Sequence, residues 1–234
     1  MAVLVRTWNV FHGNADPPER RAYLEEMVRL ATADRPGVAC LQELPVWALS
    51  HLAEWSGMTA VGAVASRPLL GSARLGRVLT ELHHGLLRSA FTGQALATLV
   101  SPRMRVLEER SVVVSDRGEG ERRICQTLRV AGLGVVANVH VTSDHAGDQL
   151  RRAVDLVLEQ EPPTILCGDF NLVPGGGGIY ERLRAAGFSE PAPGIDQVLV
   201  RGAPSTVPFV WPGDRRVVNG RRLSDHAPVE LQVG

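Results

Sequence analysis

In this sequence the residues able to do polar chemistry fall at the ends of apolar runs. The run Thr164-Ile165-Leu166-Cys167-Gly168 is followed by Asp169, Phe170 and Asn171. Strand alternation would set the Asp169 and Asn171 side chains on one face at the end of a buried strand. Carboxylate and carboxamide oxygens are hard donors, suited to Mg2+ or to orienting a phosphate. Asp and Asn are also common turn residues, so the stretch alone leaves both readings open. The pattern recurs at five other places. Asn9 ends the first apolar run, Glu43 the run over 38–42, and His140 the run over 135–139. Asp196 opens IDQVLV, and Asp225-His226 precedes the last run. Any one of these is weak, since a lone histidine at a strand end is usually a satisfied edge group. Together they describe a rigid scaffold gathering acids, amides and imidazoles from distant parts of the chain.

Such termini need strands to carry them. Apolar runs predict strands over 3–10, 38–42, 95–100, 106–114, 124–130, 135–140, 164–168, 196–200 and 227–233. Ala131-Gly132-Leu133-Gly134 is a hairpin turn signal. Leu24, Met27, Val28, Leu30 and Ala31 form a helical stripe that ends near Thr32, with Asp16-Pro17 as its start signal. Further helices are expected over 47–55, over 148–158 with Asp144 or Asp148 as cap, and over 179–186. The stretch 67–92, with His83-His84, fits either a helix or a long loop. Strands and helices mix without strict alternation. The expected fold is therefore one α/β domain over residues 1–234, two sheets with helices outside.

Composition narrows the function classes. The chain has 234 residues, 44% hydrophobic and 21% charged, enough to bury a sizeable core. The formal net charge is +0, which excludes a nucleic-acid binder held by bulk charge. Any polyanion must be gripped locally. All the cationic side chains are arginine and none is lysine. Arginine suits bidentate phosphate contacts, although genomic base composition explains the bias equally well. Cys40, Cys125 and Cys167 have no CxxC spacing and read as small core residues. The N-terminus lacks a signal-peptide pattern, and no stretch approaches a transmembrane span. The expected setting is reducing and cytoplasmic, with no obligate protein partner.

The segments TWNV, LQE, NVHV, GDFN, IDQV and SDH stand in that order along the chain. In this they resemble the endonuclease/exonuclease/phosphatase family, the fold group of deoxyribonuclease I and exonuclease III. The resemblance runs from Asn9 to His226. It implies a two-sheet β-sandwich flanked by helices, a four-layer α/β/β/α arrangement, in agreement with the reading of the runs. It also implies roles. Glu43 matches the main Mg2+ ligand, with Asn9 beside it and Asp225 as a second acid near the metal. Mn2+ is the other cation implied. Asp169 matches the acid that positions or deprotonates the attacking water, and Asn171 the amide that holds the phosphate. His226 matches the general base or phosphate clamp, backed by Asp196. His140 matches the second histidine at the scissile phosphate.

The function so implied is a Mg2+-dependent phosphodiester hydrolase, in first place a nuclease cleaving DNA or RNA. The second reading is hydrolysis of a phospholipid or soluble phosphate ester, and the third a binding module with a dead site. This chain departs from the family in two places. Where the deoxyribonuclease I branch backs the second histidine with a glutamate, alignment through GQALATLVSP places Gln94. The mid-chain tyrosine of the apurinic-endonuclease branch has no counterpart, since Tyr23 and Tyr180 lie elsewhere. Trp211, Arg221 and Arg222, near Arg215-Arg216, could stack a base and grip phosphate. A β-hairpin turning at Asn219-Gly220 explains much of that segment as well. Gly175–Gly178 could let backbone approach a phosphate, but reads equally as a loop.

Overall fold

The computed structural model describes residues 2–19, 21–68, 92–175 and 178–234. Within them the strands are Val3–Asn9 (β1), Ala15–Asp16 (β2), Val38–Leu44 (β3), Thr59–Ser66 (β4), Gln94–Val100 (β5), Val106–Val113 (β6), Ile124–Val130 (β7), Gly134–His140 (β8), Thr164–Asp169 (β9), Asp196–Arg201 (β10), Phe209–Val210 (β11), Val217–Val218 (β12), Arg221–Leu223 (β13) and Val229–Val233 (β14). One six-stranded sheet runs β11-β14-β1-β3-β5-β4, and a five-stranded sheet runs β10-β9-β8-β7-β6. A small third sheet joins β12, β13 and β2.

The two large sheets face each other across a shared apolar layer. Val5, Val38, Val100 and Leu231 of the first meet Leu128, Val136, Ile165 and Val198 of the second. The outer face of each sheet carries helices. Helix α1 (Leu24–Thr32) buries Leu24, Met27, Val28 and Ala31, the i, i+3, i+4, i+7 stripe that suits one helical face. It packs with α2 (Leu52–Ser56) over Trp8, Leu41 and Leu99. Helix α3 (Ala146–Leu158) buries Leu150, Ala153, Val154 and Val157 at the same spacing, and packs with α4 (Gly178–Ala185) over Ala137, Val139 and Leu166. The order helix, sheet, sheet, helix is the four-layer sandwich expected from the sequence. Among the described residues no helix is long and apolar enough to cross a membrane.

Strand registers bring the polar termini to one end. β1 and β3 are parallel, with Asn9 opposite Gln42. β8 and β9 are parallel, with His140 opposite Asp169, and β10 runs back so that Asp196 is opposite Asp169. The β7–β8 hairpin turns at the glycine-rich segment as predicted, so the start of β7 lies beside the end of β8.

Several local expectations need correction. Asp16 does not cap α1. It lies in β2 and accepts from Arg222, and the helix begins only after Tyr23. Neither Asp144 nor Asp148 caps α3, whose N-cap residue is His145. The segment over 47–55 splits into a 3-10 turn, Val46–Ser50, and the short α2, joined at His51. Strand β4 was not anticipated, because its small residues, TAVGAVAS, give no strong alternation. The stretch 69–91, with His83-His84, lies outside the described residues, as do 176–177 of the glycine run. Asn219 (φ 51°) and Gly220 (φ 74°) do turn the β12–β13 hairpin. Cys40 and Cys167 share the apolar layer between the sheets, and all three cysteines are free and buried.

One glycine of the opening motif is fixed by close approach. Gly168 has φ +145°, and a Cβ there would stand 1.8 Å from the Val139 carbonyl oxygen of the neighbouring strand. Backbone cannot give way as a flexible side chain can. Gly168→Ala is expected to destabilise the fold by well over the ~1 kcal/mol of an ordinary substitution. Urea denaturation checks this, and an unchanged midpoint would contradict the close β8–β9 contact.

Candidate active site

The site is built where both sheets end. Asn9, the last residue of β1, is buried, and its Nδ2 donates to Glu43 Oε1 (3.1 Å) and to Asp169 Oδ2 (3.0 Å). One neutral amide thus joins two acids from opposite sheets. Its Oδ1 accepts the Phe11 N–H at 2.9 Å. Glu43 has φ +54° at a register irregularity of β3, a rare backbone state for a residue with a Cβ. This kink re-aims the carboxylate into the space between the sheets.

Asp169 is the hub of the second sheet. Besides accepting from Asn9, its Oδ1 accepts the Asn171 N–H at 2.9 Å. The i, i+2 spacing of GDFN is therefore a side-chain-to-backbone turn and not strand alternation. Asn171 has φ +44°, donates from Nδ2 to the Val141 carbonyl (2.8 Å), and accepts Ser143 Oγ–H at Oδ1 (3.1 Å). Its carboxamide stands at the rim beside Asp169.

His226 enters from the loop before β14. Its Nδ1 is 2.8 Å from Asp196 Oδ2, and its Nε2 is 3.8 Å from Asp169 Oδ2. The loop is clamped from behind. Trp8 Nε1 donates to the His226 carbonyl at 3.0 Å. Ser224, fully buried at φ +59°, donates to the Asn9 carbonyl (2.7 Å) and accepts the His226 N–H (3.1 Å). Arg216 Nη1 serves the carbonyls of Leu223, Ser224 and His226 at 2.6–3.0 Å. Asp225 is exposed at the rim, its Oδ1 4.0 Å from His226 Nε2.

His140 faces the same space from β8. Its Nε2 lies 3.6 Å from Glu43 Oε1 and 3.5 Å from Asp169 Oδ2. Gln94 makes no hydrogen bond to its ring. Arg123 Nη1 lies 2.9 Å from His140 Nδ1, and Gln94 Oε1 accepts from that same Nη1 at 2.8 Å. Sequence reasoning missed Arg123 and Ser224, and also His12, whose Nε2 is 3.7 Å from Glu43 Oε2; Arg216 was noted only as a neighbour of the phosphate-gripping candidates. For Arg123 a signal existed. It immediately precedes β7, the hairpin partner of the strand that ends at His140.

The other substrate candidates are each engaged by partners of their own. Trp211 is buried between Trp8 and the guanidinium of Arg215, 3.7 Å from its ring centre. Arg221 pairs with Glu19 at 3.0 Å, and Arg222 with Asp16.

The electrostatics are those of crowded buried acids. Burial pushes Glu43 up to about 7, against the pull of the Asn9 hydrogen bond. Burial and the charge of Asp196 push Asp169 up to about 6. Burial, and then the charge of Arg123, hold His140 well below the usual imidazole range. Burial also works to lower His226, but the Asp196 hydrogen bond and the surrounding carboxylates outweigh it and raise the value to about 9. The buried Asp196 Oδ1 has no hydrogen-bond partner among the described residues. Glu43, His140 and Asp169 each offer a ligand atom within 4.8 Å of the others, and so do Asp169, Asp196 and His226. Oxygen-rich donors at this spacing, with an orphaned carboxylate oxygen among them, fit a hard divalent cation.

A model of the endonuclease/exonuclease/phosphatase family matches residues 7–226. The chain belongs to that family. Solved structures agree in fold at low identity. A functionally unknown conserved protein from Enterococcus faecalis V583 is 17% identical, with 99% of each chain covered and a TM-score of 0.73. A mannosyl-6-phosphatase from Bacteroides thetaiotaomicron VPI-5482 is 14% identical, with 99% of each chain covered and a TM-score of 0.69. Truncated TDP2 from Caenorhabditis elegans is 15% identical, covering 100% of this chain and 97% of that one, with a TM-score of 0.64. Among curated proteins none matches the chain.

In this family member the His226–Asp196 pair has a pH signature. The folded pKa is about 9, against about 6.5 in an unfolded chain. The folded state holds the proton more tightly, so the contribution is complete below pH 6.5 and is lost as pH rises through 9. In the presence of chelator, the stability advantage of wild type over His226→Gln should shrink between pH 6.5 and 9. Denaturation at a series of pH values measures it, and a gap that widens would contradict the pairing.

Proposed function

We propose that this protein is a divalent-metal-dependent phosphodiester hydrolase, with DNA or RNA as the leading substrate class. The observation that carries the reading is the convergence of Asn9, Glu43, His140, Asp169, Asp196 and His226, from nearly the whole chain, on one end of the sandwich. A phosphodiester is anionic and repels nucleophiles, so hydrolysis needs positive charge at the phosphoryl oxygens and a base for water. Glu43 would hold Mg2+ or Mn2+, with Asn9 beside it and Asp225 nearby at the rim. When bound, the cation would neutralise a phosphoryl oxygen and the developing alkoxide. At neutral pH, His226 is an imidazolium whose free Nε2–H can donate to a phosphoryl oxygen, while Asp196 fixes its orientation through Nδ1. Asp169, titrating near 6, is suited to accept the proton of the attacking water. Asn171 sits where its amide can orient the substrate.

A phosphate monoester is the second reading. It is favoured by the fold shared along 99% of both chains with a mannosyl-6-phosphatase. The setting proposed for the protein is cytoplasmic.

A screen with Mg2+ or Mn2+ over plasmid DNA, RNA, bis-p-nitrophenyl phosphate, phosphoinositides and sugar phosphates decides between them. Turnover of diesters is expected, and activity confined to monoesters would overturn the first reading. On the best substrate His226→Ala and Asp169→Asn should each lose about 100- to 10,000-fold in kcat. Asp196→Asn should lose less, because it keeps the shape and loses only the charge. A His226→Ala enzyme at near wild-type rate would refute the assignment. Glu43→Gln should weaken Mg2+ binding with the fold intact, and calorimetry showing unchanged affinity would remove Glu43 from the ligand set.

A further inference from the structure

We propose that Arg123 is a positioning residue that fixes the tautomer of His140 and makes its Nε2–H a permanent hydrogen-bond donor to the phosphoryl group. The substrate half of this statement rests on the phosphoesterase reading above. The tautomer half rests on geometry alone. A guanidinium has five N–H donors and no acceptor. With Arg123 Nη1 at 2.9 Å, His140 Nδ1 must present its lone pair, and the ring proton of the neutral imidazole is then on Nε2.

Arg123 cannot easily turn to another task. Its side chain is buried, and each of its three nitrogens has a partner. Nη1 also donates to Gln94 Oε1 (2.8 Å), Nε donates to Thr142 Oγ1 (3.2 Å), and Nη2 pairs with Glu121 (2.9 Å). Gln94, placed in the sequence as the support of His140, acts one step back by steering Arg123.

The consequence falls on Nε2. Its distances of 3.6 Å to Glu43 and 3.5 Å to Asp169 are too long for good hydrogen bonds. The N–H therefore faces the space that the two carboxylates share, and is available to a third acceptor. A protonated Nε2 has no lone pair for a cation. Although His140 stands at ligand distance from Glu43 and Asp169, this tautomer removes it from the ligand set and leaves metal binding to the oxygens. Its part is to donate to an oxygen of the substrate, not to shuttle a proton.

Long-range 1H–15N correlation spectra of metal-free, 15N-labelled protein test this, with His140→Gln providing the assignment. The expected result is a single Nε2–H tautomer for His140 at pH 7. Arg123→Leu should release it to a mixture, with kcat down about 10- to 100-fold and KM less changed. Arg123→Lys, which still offers a donor, should recover the tautomer and part of the rate. A wild-type ring protonated on Nδ1 overturns the inference, as does a folded Arg123→Leu protein with tautomer and rate unchanged. If Arg123→Leu does not fold, the wild-type and Arg123→Lys spectra decide. The spectra need neither metal nor substrate. A correct tautomer in a protein inert toward every phosphate ester would sink the hydrolase reading and the substrate half of this one, and leave the tautomer half standing.

Discussion

The structure depends on one amide. The NH2 group of Asn9 donates to Glu43 in its own sheet and to Asp169 in the other, at 3.1 and 3.0 Å. Two buried carboxylates facing each other would repel and drive one another toward the neutral form. A neutral donor between them satisfies an oxygen on each without cancelling the charge. Burial, and then the charge of neighbouring carboxylates, raises both acids, and the Asp196 hydrogen bond with those carboxylates favours the charged form of His226. The site is thus primed for cations on one side and for an anion oxygen on the other. The amide also fixes the relative position of the sheets at the end where the chemistry is placed.

The approach to that end is graded. Along β1 the residues facing between the sheets are Val5, Thr7 and Asn9. Along β8 they are Val136, Asn138 and His140, and along β9 Ile165, Cys167 and Asp169. The first layer is apolar core. The second holds neutral groups that satisfy one another across the sandwich. Gln42 donates to Thr7 and Asn138, and Asn138 donates to the carbonyls of Leu41 and Ala97, all at 2.8–3.2 Å. The third layer is ionisable. Buried amides without partners would cost about 1–3 kcal/mol each. Paired at all but Gln42 Oε1, they make a polar floor that specifies how the sheets align and keeps the acids away from the apolar layer.

Arginine supplies much of the rigid framing in this lysine-free chain. Arg6, fully buried, binds Asp34, Glu230 and the Ala31 carbonyl, tying the end of α1 to β1 and β14. Arg216 binds three carbonyls of the loop that carries His226, and Arg123 binds Gln94, Thr142 and His140. Each uses the planar fork of donors at several fixed angles, which a lysine ammonium could not reproduce. The arginines nearest the site therefore hold its parts in place.

Much of this was determined by the sequence. The apolar runs, the glycine-rich hairpin, the stripes of α1 and α3 and the polar residues at run ends follow from local periodicity and from burial, which act along the chain. Convergence of Asn9, Glu43, His140, Asp169, Asp196 and His226 was legible because parallel and antiparallel registers carry run ends to one side. What only the tertiary structure decided are contacts between elements remote in sequence. Asp169 and Asn171 share a turn and not a strand face, because Asn171 enters the left-handed region. Trp211, Arg221 and Arg222, which looked like substrate contacts, are held by Trp8, Arg215, Glu19 and Asp16. Asp16 answers to Arg222, more than 200 positions away, and so caps no helix. His140 answers to Arg123 and not to Gln94, because Arg123 Nη1 stands at hydrogen-bond distance from the ring and also takes up the Gln94 oxygen. No local pattern along the chain records that distance.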